Sequence, residues 1–109
     1  MRIEFTAAGS AKVISRAIEE HARSQGSVNA LVVPWESDAT RLNMAVTSVK
    51  TDGWAIEHTN LGTITLTSVG DETTRVAIHA PDQSSHDEPK LTAVFDRFAR
   101  QLQQKLAAP

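Results

Sequence analysis

Apolar and polar positions alternate along most of this chain, and the period of the alternation changes from one stretch to the next. At the start, Ile3 and Phe5 face one way and Arg2, Glu4 and Thr6 the other, which predicts a short strand with one buried face over Met1–Thr6. Gly9-Ser10 breaks that pattern, and Ser10 is a good N-cap. Val13, Ile14, Ala17, Ile18 and His21 then recur at helical spacing, and Gly26 is placed to end the helix, so residues 11–24 read as one helix.

Five strand-like runs follow. Val28–Glu36 sets Leu31, Val33 and Trp35 on one face, Arg41–Lys50 sets Leu42, Met44 and Val46 inward, and Trp54–Thr59 groups Trp54, Ile56 and His58. The last two runs lie in Leu61–Ala80, LGTITLTSVGDETTRVAIHA, where Ile64, Leu66, Val76 and Ile78 oppose Thr63, Thr65, Thr67, Arg75 and His79. Turn residues separate the runs at Ser37-Asp38, Asp52-Gly53, Asn60-Leu61-Gly62 and Gly70-Asp71. Placing Val46 opposite Ile56, Ile56 opposite Ile64 and Ile64 opposite Ile78 keeps apolar residues together through three successive hairpins. Pro34 cannot donate to a central ladder, which assigns its strand to a sheet edge.

The chain closes on His86-Asp87-Glu88-Pro89, an N-cap cluster with proline in the first turn, followed by Leu91, Val94, Phe95, Phe98, Leu102 and Leu106 as an apolar stripe of about five turns. The sum is an α+β fold: strand, helix, a meander of five strands and a long helix. If the first strand pairs with the last, the antiparallel sheet runs first, sixth, fifth, fourth, third, second, and the terminal helix covers its apolar face.

Composition narrows the function classes. The chain has 109 residues, the size of a single domain, with 40% hydrophobic and 22% charged residues. A formal net charge of −2 argues against a nucleic-acid partner, whose affinity comes from displaced counterions. No cysteine is present, which removes disulfides, thiolate nucleophiles and Cys-ligated zinc. The start, MRIEFTAAGS, has no apolar signal-peptide core, and the longest apolar run, Ala30–Trp35, is too short to cross a bilayer. A soluble cytoplasmic protein without a membrane span is the expectation.

Candidate chemistry is sparse. His21, His58, His79 and His86 show no metal-ligand spacing, no serine sits in a nucleophile elbow, no carboxylate pair is forced together and no glycine-rich phosphate loop exists. The expectation is no catalytic residue, no metal and no cofactor. Trp35, Trp54 and Met44 either line an apolar pocket or fill the core, and His58 is either a cavity hydrogen-bonder or a strand-end residue. The outer row of threonines, with Ala45, Ala55 and Ala77 beside it, is flat and weakly polar enough for two copies to associate.

Gly62–Ile78, GTITLTSVGDETTRVAI, resembles the penultimate hairpin of the START-like superfamily, which includes the SRPBCC or polyketide cyclase/dehydrase-like proteins. Leu66, Val69, Gly70, Asp71, Thr74, Arg75 and Val76 fill the hairpin signature, and the entry IEFTAAGSAKVISRAI is similar to the strand-then-helix start of such domains. The resemblance implies a helix-grip (TBP-like) architecture, here in a short, divergent member. It also implies a small apolar ligand between sheet and terminal helix, lined by Trp54, His58, Met44, Trp35, Phe95 and Phe98. A cyclase-like activity follows only from the resemblance, with Trp54 and His58 as its place to look. The alternative is a structural or interaction protein with a filled core that forms a homodimer through its outer sheet face or edge strand.

Overall fold

The computed structural model describes residues 2–26, 28–80 and 89–107. The expected capping cluster His86-Asp87-Glu88 lies outside the described residues, as do the side chains of residues 50–52, 57 and 89–91. The elements are β1 (Arg2–Ala8), α1 (Ala11–Gln25), β2 (Val28–Val32), a 3-10 turn (Pro34–Glu36), β3 (Arg41–Asp52), β4 (Ala55–Gly70), β5 (Thr73–His79) and α2 (Pro89–Leu106). The sheet is antiparallel throughout, in the order β1-β5-β4-β3-β2. The α+β architecture with a long C-terminal helix is therefore the expected one, with five strands where the turn residues suggested six.

The missing strand boundary is Asn60-Leu61-Gly62. It reads as a turn, yet β4 runs through it as a β-bulge: Val46 faces Gly62, Thr47 faces Asn60, and Leu61 is the extra residue. Leu61 and Gly62 are both buried although adjacent, so the face parity of β4 changes there. Ile56 and Ile64 are an even number of residues apart and would share a face in a regular strand. With the extra residue between them they do not.

Cross-strand rows build the core on one face. Ile3, Ile78, Ile64, Met44 and Val32 pair successively across all five strands. Phe5, Val76, Leu66 and Leu42 form a second row, and Ala30 lies opposite Val46. The expected pairing of Ile64 with Ile78 holds, whereas Val46 and Ile56 face Gly62 and Thr51 instead. From above, α2 adds Phe95, Phe98, Ala99 and Leu102, and α1 adds Ala11, Ile14, Ile18 and Ala22, all buried. Both helices join this one cluster, so the opposite sheet face carries no covering layer among the described residues.

The helix α1 begins where expected: Ser10 Oγ accepts from the Val13 N–H at 3.3 Å, and the Gly26 N–H donates back to the Arg23 carbonyl. Its buried stripe is rotated from the expected one, for Val13 is exposed and Ser15 buried. Strand β2 lies at the sheet edge, as Pro34 requires, and the proline ends it rather than sitting within it. Its inward residues are Val28, Ala30 and Val32, so the expected inward set, Leu31, Val33 and Trp35, is off by one residue. Small Ala30 faces inward because α1 packs closely against β2.

One buried hydroxyl fastens the start of α1 to the sheet. Thr74 is fully buried, and its Oγ1 donates to the Gly9 carbonyl at 2.8 Å while the Gly9 N–H donates to the Glu72 carbonyl at 2.7 Å. Thr74→Val keeps the shape and leaves the Gly9 carbonyl without that donor. It is expected to cost about 1–3 kcal/mol in a denaturant titration, whereas exposed Thr63→Val should change stability by no more than about 0.5 kcal/mol.

Candidate functional site

Two places in the molecule carry features that the fold alone does not require. The first is enclosed, at the α1/α2 contact. Phe98 stacks on His21 with ring centroids 5.3 Å apart, and Phe95 stacks on Phe98 at 6.5 Å. Beside them, His21 Nε2 and Gln101 Oε1 are shut off from solvent, and among the described residues neither has a hydrogen bond of normal geometry, although the Gln101 side chain lies close enough to act on His21. Burial lowers the His21 pKa first, the Lys105 ammonium lowers it further, and the neighbouring Gln101 amide opposes them. The helix-dipole explanation suited to a terminal histidine does not describe this environment, since dipole attraction would raise the value.

The sign of the pH dependence follows. A histidine held below its ordinary pKa of about 6.5 binds protons more readily in the unfolded chain. Its stabilising contribution is complete above that value and is lost as pH falls toward and through the folded one. Melting temperature is expected to drop between pH 7.5 and pH 5 more steeply in the wild type than in His21→Gln; identical slopes would contradict this assignment.

The second place is the uncovered sheet face and its two ends. The turn carrying Trp35 is held to that face by a chain of polar contacts. Val33 N–H donates to the Asn43 carbonyl, Asn43 Nδ2 to the Glu36 carbonyl, Asn43 N–H to Ser37 Oγ at 3.0 Å, and Thr65 Oγ1 to Asn43 Oδ1 at 3.0 Å. Asp38 closes the loop by accepting from the Thr40 N–H, the Thr40 hydroxyl and the Arg41 N–H, which together lower its pKa. The loop is thus fixed, yet Trp35 is 83% exposed.

At the other end, β3 and β4 outrun their neighbours. Pairing of β3 with β2 stops at Ser48, which faces Thr59, and pairing of β4 with β5 stops at Thr63, leaving residues 49–58 as a two-stranded ribbon. Its two-residue tip is Gly53-Trp54. Gly53 has φ +61 and, among the described residues, no non-glycine residue has a positive φ, as in a hairpin turn with glycine at the first central position. Trp54 is fully exposed and Ile56 63% exposed, and His58 is exposed too. The ribbon helps make the molecule 45 Å long and only about 25 Å across.

The six residues expected to line a pocket are therefore divided. Met44, Phe95 and Phe98 meet in the core. Trp35, Trp54 and His58 do not join them, and their expected inward placement is corrected: the bulge at Leu61 turns His58 outward, Trp54 forms a hairpin tip, and Trp35 sits in a turn beyond the end of β2. The place proposed for a cyclase-like centre, Trp54 with His58, lies in the open. Among the described residues no group of three His, Cys, Asp or Glu side chains is close enough to hold a metal ion, and no helix is long and apolar enough to cross a membrane.

Gln101 did not stand out in sequence, being polar and off the apolar stripe; its spacing of three from Phe98 and four from Lys105 is the available signal. Asn43 and Thr65 likewise read as ordinary outward strand positions.

No family model and no curated protein matches the chain. Among solved structures, the chain is similar to a START superfamily protein from Mycobacterium smegmatis, with 12% identity, 96% of this chain and 94% of the other covered, and a TM-score of 0.39. A likeness of that degree transfers no function.

Proposed function

We propose that this chain is a non-enzymatic interaction domain with a filled core that self-associates through the outer face of its sheet. One observation carries the reading: Leu31, Trp35, Trp54 and Ile56, four of its large exposed apolar side chains, lie on the face that no helix covers or at its two ends. Beneath α2 the chain buries its own Phe95, Phe98 and Leu102 against the sheet. Aromatic side chains displayed on fixed backbone are the usual anchors of protein interfaces. Sedimentation velocity over a concentration series should show a reversible monomer–dimer equilibrium; a strict monomer at the highest concentration would remove the proposal.

A second reading, a small apolar ligand held against α2, is favoured by the enclosed, unpartnered His21 Nε2 and Gln101 Oε1 beside Phe98. A molecule with an apolar body near Met44, Phe95 and Phe98 and one polar end would satisfy them. With 1-anilinonaphthalene-8-sulfonate as the probe, this reading expects a rise in melting temperature that Gln101→Leu abolishes. No shift in the wild type counts against it.

A further inference from the structure

Self-association through the outer face, on which this inference rests, still has to bring particular residues together, and the exposed apolar side chains are distributed in a way that specifies how. Along β3 the outward positions are Arg41, Asn43, Ala45, Thr47 and Val49. Beside the middle of this row stands Leu31, paired with Ala45, and toward its Arg41 end lies the loop of Trp35, fastened to Asn43. At the other end stand Val49, Ile56 and the tip residue Trp54. Small or hydroxyl side chains, Ala45, Thr47 and Thr63, occupy the middle.

Thr47 is six residues from Arg41 and six from Gly53. A two-fold axis crossing the strands at Thr47 therefore exchanges the two ends: position 45 falls on 49, and position 41 falls on 53. Apolar surface meets apolar surface at both ends at once, as an isologous interface requires.

The area suffices. Twelve residues of β3 at about 3.3 Å each, by three strand widths of about 4.8 Å, give roughly 550 Å² per copy, or about 1,100 Å² in all, at the lower limit for a specific interface. The arrangement also supplies what the ribbon lacks. Two strands with neither a third strand nor a covering layer are marginal in water, and a second sheet stacked on the ribbon and the adjoining face provides that layer.

We propose that two copies stack their outer sheet faces with strands antiparallel about a two-fold axis at Thr47, so that the ribbon of each covers the Leu31–Trp35 end of the other. The absence of native cysteine makes this directly testable. Single-cysteine variants Thr47→Cys, Asn60→Cys and Arg41→Cys are treated with a short bismaleimide at concentrations where sedimentation detects dimer. Asn60 pairs with Thr47 and is exposed, so it reports on the axis even if Thr47→Cys folds poorly.

Positions 47 and 60 should crosslink copies across sheets about 10 Å apart, while the two copies of position 41 stand about 40 Å apart and should not. Trp54→Ala should weaken dimerisation about tenfold or more. A dimer that crosslinks at position 41, or at neither axis position, overturns this arrangement and leaves self-association standing. A strict monomer overturns both.

Discussion

Gly62→Ala is expected to lower stability by about 2–3 kcal/mol and the melting temperature by about 10–20 °C. A Cβ at this position would meet the His79 carbonyl oxygen and lie 2.7 Å from two carbons of the Phe95 ring. The carbonyl is backbone of a paired strand and cannot turn aside. Phe95 is buried and wedged against Phe98, so the ring has little room to retreat. The glycine thus serves close approach: it lets the first buried aromatic of α2 rest on bare backbone at the bulge. Gly70→Ala is the matched control, since its added Cβ would find only Thr73 at 3.8 Å. A Gly62 variant as stable as the Gly70 one would mean that α2 does not bear on the bulge.

The largest single side-chain effect is expected at Phe98. It is 2% exposed and touches both Phe95 and His21. Phe98→Ala should cost about 3–5 kcal/mol, of which part is lost transfer free energy and part the cavity left between α1, α2 and the sheet. The same truncation opens His21 to water and removes the main cause of its lowered pKa, so the pH dependence of stability should flatten. Phe98→Leu keeps His21 covered at about 1–2 kcal/mol and should retain the slope. The pair separates a packing role from an electrostatic one. If Phe98→Ala lowers stability but leaves the pH slope intact, His21 is not desolvated by that ring.

Much of the architecture was legible in the chain. The alternation of Ile64, Leu66, Val76 and Ile78 is uninterrupted, so the β4–β5 register followed directly, as did the edge position of the Pro34 strand and the stripe on α2. What failed did so at identifiable residues. Asn60-Leu61-Gly62 has the composition of a turn, and only the Phe95 ring above it, distant in sequence, explains the glycine as part of a bulge. That one inserted residue reversed the expected face of Ile56 and His58.

Leu31, Val33 and Trp35 looked like an inward row because they are the bulkiest of their run. The close approach of α1 favours Ala30 instead. Aromatic content is a poor guide in so short a chain: both tryptophans stayed outside, and Phe95 and Phe98 went to the interior. The enclosed contact of His21 with Gln101 joins two helices far apart in sequence, and no local pattern encodes it.

Self-association through the outer sheet face brings Trp35 and Trp54 out of water, and intrinsic fluorescence tests that proposal directly. In dilute solution the emission should be that of water-exposed indole, fully quenched by iodide, and unfolding should change it little. Raising the protein concentration should shift the emission to the blue and protect it from iodide, in step with dimer formed in sedimentation, and Trp54→Ala should remove most of the shift. Emission that is blue and protected at every dilution, or red and quenchable at every concentration, would contradict the claim.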